Sequence, residues 1–88
     1  MSIPLLLFVS KDSLYFKVSI EAFRKLQENL INLDSFSFDI IDISKQPEKA
    51  EEYKINALPT LIVGTKQFIG KLDINTIIPY IQSLQYDK

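Results

Sequence analysis

The sequence predicts one α/β domain in which a mixed four-stranded sheet has helices on both faces. Three observations lead to this prediction. A buried apolar strand is followed by an amphipathic helix and a second strand, which requires a parallel pair joined by a right-handed crossover. A β-branched apolar run, Thr60 to Val63, leads into a tight turn at Gly64-Thr65, and Lys66 to Ile69 returns, as in an antiparallel hairpin. From Ile74 to Leu84 the apolar residues then recur at helical spacing, so the predicted order of elements is β-α-β-α-β-β-α.

The first three elements follow from the spacing of apolar residues. IPLLLFV, from Ile3 to Val9, is a continuous apolar run typical of a strand buried on both faces. A helix of about four turns is predicted from Lys17 to Leu33. Its apolar stripe consists of Val18, Ala22, Phe23, Leu26 and Leu30. FSFDIIDI, from Phe36 to Ile43, becomes apolar on both faces, which favours a strand in the centre of the sheet.

A short helix is predicted next, with Ser44 or Gln46 as its N-cap. Pro47 suits the first helical position, because its missing N–H would have no partner there in any case. This helix is expected to end near Lys54 to Asn56.

The last third contains the hairpin and the closing helix. The hairpin strands are predicted over Thr60 to Val63 and Lys66 to Ile69. The apolar stripe of the last helix consists of Ile74, Ile77, Ile78, Ile81 and Leu84, and its candidate N-caps are Asp73, Asn75 and Thr76. Because Pro79 would interrupt a hydrogen bond inside the helix, we expect the helix to begin near Thr76 or to kink.

Composition excludes several classes of function. Ten basic and eleven acidic residues give a net charge of −1 without charged blocks, which argues against nucleic-acid or membrane binding. The chain has no cysteine and no histidine, so it has no thiolate nucleophile and lacks the commonest general base and metal ligand. We therefore predict a protein that is not an enzyme, with no catalytic residue, cofactor or metal site.

The chain of 88 residues suits a single domain, 1–88. Its apolar N-terminal run is too short to span a bilayer and lacks the flanks of a signal peptide. A cytoplasmic location is the resulting expectation.

The predicted order of elements resembles the thioredoxin-like fold. In that fold a cis-proline precedes the third strand, and Leu58-Pro59 occupies this place directly before Thr60. The resemblance implies a cis bond at Pro59. It also implies that the loop from Ser10 to Phe16 lies beside this proline, where such proteins dock extended partners.

A second resemblance is more specific. IIDISKQPEKAEEYKINALPTL is similar to a segment of KaiB-like proteins, the family of the bacterial clock protein KaiB and the sensory domain of the SasA kinase. The matching positions are Ile41, Asp42, Gln46, Pro47, Ala50, Glu51, Ile55, Pro59, Thr60 and Leu61. LLLFVSKDSL also resembles the corresponding part of SasA, so the likeness extends from Leu5 to Leu61. It implies a protein-interaction domain that binds a KaiC-like ATPase or another clock or signalling protein.

The last third resembles glutaredoxin instead. VGTKQFIGKLDI is similar to the glutaredoxin hairpin, and Ser13-Leu14-Tyr15-Phe16 takes the place of its C-P-Y-C motif. Without cysteine the dithiol chemistry cannot occur. An alternative function is therefore a cysteine-less relative that retains glutathione or thiol-peptide binding. KaiB itself interconverts between two folds, but the glycine turn and apolar-striped last helix of this chain predict a single thioredoxin-like fold.

The candidate partner-binding residues are Ser13, Leu14, Tyr15, Phe16, Leu58, Pro59 and Thr60. Structural roles compete with this assignment. Ser13 also suits a turn or helix cap, one of the three residues after it is expected in the core, and the proline segment also suits a simple start to the strand. Asp39 and Asp42 are predicted on opposite faces of their strand, so they do not form an acid/base pair.

Overall fold

The computed structural model describes residues 2–30 and 33–86, and its elements follow the predicted order. A short 3-10 turn, Leu33–Ser35, precedes the second strand. The strands are β1 (Ile3–Val9), β2 (Phe36–Asp42), β3 (Thr60–Val63) and β4 (Lys66–Ile69), and the helices are α1 (Phe16–Asn29), α2 (Pro47–Glu52) and α3 (Ile74–Tyr86). None of the described helices combines the length and apolarity needed to cross a membrane.

The four strands form one mixed sheet in the order β2-β1-β3-β4. Leu5 in β1 lies opposite Phe38 in the parallel strand β2 and opposite Val63 in the antiparallel strand β3. The mixed sheet is as predicted, but the central position assigned to the second strand is wrong. β2 lies at the edge, and Ile40 is 42% exposed there.

One face of the sheet packs against α1 and α3. Alternate residues of β1 and β3 point to this face, where they meet apolar side chains of the two helices. The buried members include Leu5, Leu7, Val9, Phe23, Leu26, Leu61, Val63, Ile77 and Ile81. Removing each such side chain from water contributes about 1.5–3 kcal/mol, so this layer dominates the stability of the fold.

The other face of the sheet packs against the end of α2. The ring centroids of Phe8 in β1 and Tyr53, the C-cap of α2, are 5.3 Å apart. Gln67 Nε2 in β4 donates a hydrogen bond to the Tyr53 carbonyl oxygen at 3.4 Å. Helices therefore cover both faces, as predicted.

α1 differs from its prediction in its ends and its buried face. It ends at Asn29, and the predicted end at Leu33 is wrong because Leu33 belongs to the 3-10 turn. Residues 31 and 32, within the predicted helix, lie outside the described part of the chain. Val18 was assigned to the apolar face but is 55% exposed, because the buried stripe passes through Ser19, Phe23 and Leu26.

α2 ends at Glu52, earlier than predicted, because Lys54 adopts a left-handed backbone conformation with φ of 56°. The N–H of Lys54 donates to the Glu51 carbonyl at 3.2 Å, and the N–H of Ile55 donates to the Ala50 carbonyl at 2.8 Å. This pair of bonds is the Schellman motif, which terminates a helix by satisfying its last carbonyls.

α3 begins at Ile74, two residues before the predicted start, and continues through Pro79. Asp73 caps it. Asp73 Oδ1 accepts a hydrogen bond from the Asn75 N–H at 3.1 Å, and Oδ2 accepts one from the Thr76 hydroxyl at 3.0 Å. These bonds satisfy amide and hydroxyl donors at the helix start, which explains the earlier beginning.

Candidate functional site

Two serine side chains shape the loop between β1 and α1. Ser10 Oγ accepts a hydrogen bond from the Asp12 N–H at 3.2 Å, and Ser13 Oγ accepts one from the Tyr15 N–H at 3.1 Å. The Ser13 carbonyl accepts a further bond from the Phe16 N–H at 3.2 Å. The Ser13 hydroxyl thus has a local structural role, consistent with the turn that serine favours. The loop holds Leu14 at its exposed tip.

Asp42 connects this loop to the end of β2. Its Oδ1 atom accepts hydrogen bonds from the Ser44 hydroxyl at 2.7 Å, the Ser44 N–H at 3.0 Å and the Lys11 N–H at 3.2 Å. The hydrogen bond from the Ser44 hydroxyl is the main cause of a lowered pKa of Asp42, with smaller contributions from the two backbone N–H groups and the charge of Lys45, and desolvation opposes them. The carboxylate therefore favours its charged form while it holds the loop.

The segment before β3 contains the cis peptide bond between Leu58 and Pro59. The Pro59 carbonyl accepts a hydrogen bond from the Gly70 N–H at 2.8 Å, which ties the segment to the end of β4. Thr60 is buried, and its hydroxyl donates to the Ala57 carbonyl at 2.7 Å. This hydroxyl therefore has a structural partner within the fold.

An open cavity of about 430 Å³ lies where the first loop, the start of α1 and the proline segment meet. We call it the proline groove, and its lining residues are Leu14, Tyr15, Val18, Ser19, Ala22, Pro59, Lys71 and Leu72. An adjoining cleft of about 330 Å³ is lined by Tyr15, Leu58, Pro59, Gly70 and Lys71. The two spaces share Tyr15, Pro59 and Lys71, so they form one continuous surface.

The structure brings together four of the seven predicted site residues. Leu14, Tyr15, Leu58 and Pro59 line the proline groove or its adjoining cleft. Ser13, Phe16 and Thr60 line neither. Phe16 packs against the core instead. Of the three apolar residues Leu14, Tyr15 and Phe16, it is the one with the expected core position, since Leu14 and Tyr15 are exposed.

Sequence reasoning missed five of the eight residues that line the proline groove. Val18, Ser19 and Ala22 lie three, four and seven residues after Tyr15 and therefore share one side of α1, a spacing that could have identified them. Lys71 and Leu72 carried no comparable signal, because only the folded chain brings them next to Pro59.

The lining of the groove suits recognition of apolar groups. Leu14 is 98% exposed and Tyr15 is 60% exposed. The polar side chains that line the groove are Tyr15, Ser19 and Lys71, so the groove lining contains no carboxylate or imidazole for general base catalysis. Exposed apolar side chains that border a concave surface are typical of protein-interaction sites.

The two carboxylates of β2 do not form a pair. Asp39 lies opposite Leu6 and Asp42 lies opposite Val9, positions that point to different faces of the sheet. The prediction of opposite faces is confirmed. Over the described ranges, no group of three acidic, histidine or cysteine residues is placed to hold a metal ion.

Solved structures of thioredoxin-like proteins share this fold. A malarial protein matches with a TM-score of 0.80 and 18% identity, over 94% of this chain and 97% of that one. Thioredoxin-2 of the malaria parasite matches with a TM-score of 0.77 and 18% identity, over 93% of this chain and 82% of its own. A mutant thioredoxin from Halobacterium salinarum matches with a TM-score of 0.77 and 18% identity, over 93% of this chain and 74% of its own. These likenesses show the thioredoxin-like fold.

Comparison with protein families is more specific. No curated protein matches the chain significantly. The KaiB domain, however, matches residues 6–81, a range that includes every residue lining the proline groove. KaiB domains are clock-related domains that act through protein interaction, and the family is not one of enzymes. Since this match extends over most of the sequence, the chain belongs to the KaiB family.

Proposed function

We propose that this chain is a non-catalytic protein-interaction domain that binds a KaiC-like ATPase through the proline groove. The observation that carries the proposal is the exposure of Leu14, Tyr15 and Val18 beside Pro59. The identity of the partner is supported by membership of the KaiB family. Another clock or signalling protein is the alternative partner at the same surface.

Burial of these side chains would supply binding energy. Leu14, Tyr15 and Val18 are 98%, 60% and 55% exposed, so most of their apolar area faces water in the free chain. Apolar area removed from water contributes about 25 cal/mol per Å², and residues at the centre of an interface supply most of its affinity. We therefore expect Leu14 and Tyr15 to be the main contributors.

The groove is also held in place before any partner binds. Hydrogen bonds to Ser10 and Ser13 shape one wall, and the bond from the Gly70 N–H to the Pro59 carbonyl fixes the other. A surface that is already ordered loses less conformational entropy on association. This preorganisation favours recognition by a rigid domain surface over adaptation to many ligands.

The alternative of glutathione or thiol-peptide binding predicts a different chemistry. Glutathione is a small, charged peptide, and its recognition requires several polar groups. Lys71 is the charged side chain among the residues that line the groove, and most of the others are apolar. The lining therefore favours an apolar side chain of a protein partner.

A direct binding experiment tests the proposal. The purified chain would be titrated with the KaiC-like ATPase from the same source, separately in ATP and in ADP, and the Kd measured by calorimetry. We expect Leu14→Ala and Tyr15→Ala each to weaken binding about tenfold, as for central interface residues. Ile40→Ala is the matched control, because Ile40 is also exposed but lies in the edge strand β2 and does not line the groove.

Three outcomes separate the parts of the proposal. Failure of the wild-type chain to bind the ATPase in either nucleotide would remove this partner. Binding that both groove variants retain would remove the groove. Binding of glutathione in a parallel titration, abolished by the same substitutions, would favour the alternative function.

A further inference from the structure

We infer that the proline groove selects a partner segment in which a carboxylate lies beside an apolar anchor, and that Lys71 recognises the carboxylate. The inference rests on the proposed function, in that the groove is the partner-binding surface. It adds the chemistry of the partner segment and a specificity-determining residue. The apolar lining receives the anchor, and the ammonium group of Lys71 pairs with the acid.

The backbone around Gly70 places Lys71 at the groove. Gly70 has φ of 92°, a conformation that other residues rarely adopt, and its N–H bonds to the Pro59 carbonyl. Lys71 follows directly and lines the proline groove and the adjoining cleft that contains Leu58. It also borders a third, smaller cleft beside α3. An occupant of this surface therefore meets Lys71 from whichever side it extends.

The charge of Lys71 is free to meet such an occupant. Lys71 forms no salt bridge among the described residues, where the ion pair found is that between Lys49 and Glu52. The nearest acid along the chain is Asp73, whose two carboxylate oxygens already accept hydrogen bonds at the start of α3. Lys71 is also exposed. The fold thus presents, next to an apolar wall, a positive charge that has no salt-bridge partner among the described residues.

A lysine in this position combines two kinds of contact. Its aliphatic stem can lie along apolar surface while its ammonium group remains at the rim in water. A carboxylate that approaches the rim gains an ion pair, and a lysine or arginine at the same place is repelled. Exposed ion pairs are weak, so we expect a carboxylate to improve affinity about twofold to fivefold.

Synthetic peptides provide the test. Three hexapeptides would share one leucine anchor and differ in the next residue, which is Glu, Gln or Lys. Binding would be followed through the backbone amide signals of Tyr15, Lys71 and Leu72 in NMR titrations of the labelled chain. For the wild-type chain we expect the Glu peptide to bind about twofold to fivefold tighter than the Gln peptide, and the Lys peptide to bind most weakly.

Charge reversal makes the test specific. Lys71→Glu should invert the order, so that the Lys peptide binds best. Lys25→Glu, at an exposed position of α1 that does not line the groove, should keep the wild-type order. Circular dichroism would verify that both variants remain folded.

The outcomes also distinguish this inference from the proposed function. An order that Lys71→Glu leaves unchanged, or peptides that do not shift the three amide signals, would overturn the role of Lys71. If the ATPase binds and depends on Leu14 while the peptides show no charge preference, only this inference fails. If the preference is present and inverts but the ATPase does not bind, the groove chemistry stands and the proposed partner is wrong.

Discussion

Asp42 Oδ1 accepts a hydrogen bond from the backbone N–H of Lys11 at 3.2 Å, between residues 31 positions apart in the sequence. The bond joins the end of β2 to the loop that carries Leu14 and Tyr15. It is charge-assisted, since the acceptor is a carboxylate, and such bonds are stronger than those between neutral groups. The position of the exposed loop therefore depends on a side chain outside the groove.

This contact should depend on pH. The pKa of Asp42 lies below its ordinary value of 3.8, mainly because the Ser44 hydroxyl donates to it. Because the folded pKa is lower than the unfolded one, the stabilisation is complete well above pH 3.8 and is lost as the pH falls through the folded pKa. The amide signals of Lys11 and Ser44 should shift together in an NMR titration, with a midpoint below 3.8. Asp42→Asn should abolish this shared transition, and a midpoint above 3.8 would contradict the assignment.

Adjacent aromatic residues should differ in their effect on stability. Phe16 packs against the core, whereas Tyr15 is 60% exposed and lines the groove. Phe16→Ala should lower the free energy of unfolding by about 1–3 kcal/mol, and Tyr15→Ala by less than about 1 kcal/mol. Chemical denaturation measures both. Equal losses would show that Tyr15 also supports the core.

α1 offers a second matched pair. Phe23 is buried and Val18 is 55% exposed, although both belong to the stripe predicted from the sequence. Phe23→Ala should cost about 3–5 kcal/mol because it removes a large core side chain, while Val18→Ala should change stability by about 0.5 kcal/mol or less. Urea unfolding followed by circular dichroism would measure the difference. A large loss of unfolding free energy for Val18→Ala would indicate that α1 is rotated about its axis so that Val18 faces the core.

The end of α2 predicts a stabilising substitution. Lys54 has φ of 56° at the position of a Schellman motif that usually holds glycine. A left-handed conformation costs a side chain about 1–2 kcal/mol, and glycine adds about 0.5–1 kcal/mol of entropy cost in return. Lys54→Gly should therefore raise the free energy of unfolding by up to about 1 kcal/mol in thermal or urea unfolding. Lys54→Ala retains the strain and should give no comparable gain.

The chain should keep a single fold. The hairpin turn has Gly64 at φ of 63°, and the Gly64 N–H donates to the Pro4 carbonyl at 2.9 Å, which joins the turn to β1. Local turn chemistry and sheet pairing thus favour the same structure. A two-dimensional NMR spectrum should show one set of amide signals over a range of concentrations. A second set in slow exchange would indicate another fold.

Strand boundaries could be predicted where apolar runs end at clear turn signals. Ile3–Val9 is one unbroken apolar run, and both hairpin strands flank Gly64, so their bounds agree with the structure. The edge position of β2 could not be predicted from Ile40 and its neighbours. Apolar periodicity reports which residues suit burial, and it does not identify which strand lies beside them.

The candidate site was predictable in part for a related reason. Leu14 and Pro59 were identified because exposed apolar clusters and X-Pro bonds have recognisable local signatures. Lys71 was missed because its place depends on the hydrogen bond between Gly70 and Pro59, a tertiary contact. Thr60 was included among the candidate site residues because it follows Pro59, but its side chain is buried inside the fold.

The central position of β1 has a consequence for how the chain folds. Leu5 pairs with Phe38 and Val63, so both neighbours of this strand come from distant parts of the chain. Pairing strands that are far apart in the sequence closes long loops of chain. The entropy cost of closing them precedes the stabilising contacts, which slows folding. Until then the run IPLLLFV is an uncovered apolar segment able to pair with other chains. Refolding yield should therefore fall as protein concentration rises, even though the finished sheet encloses this strand.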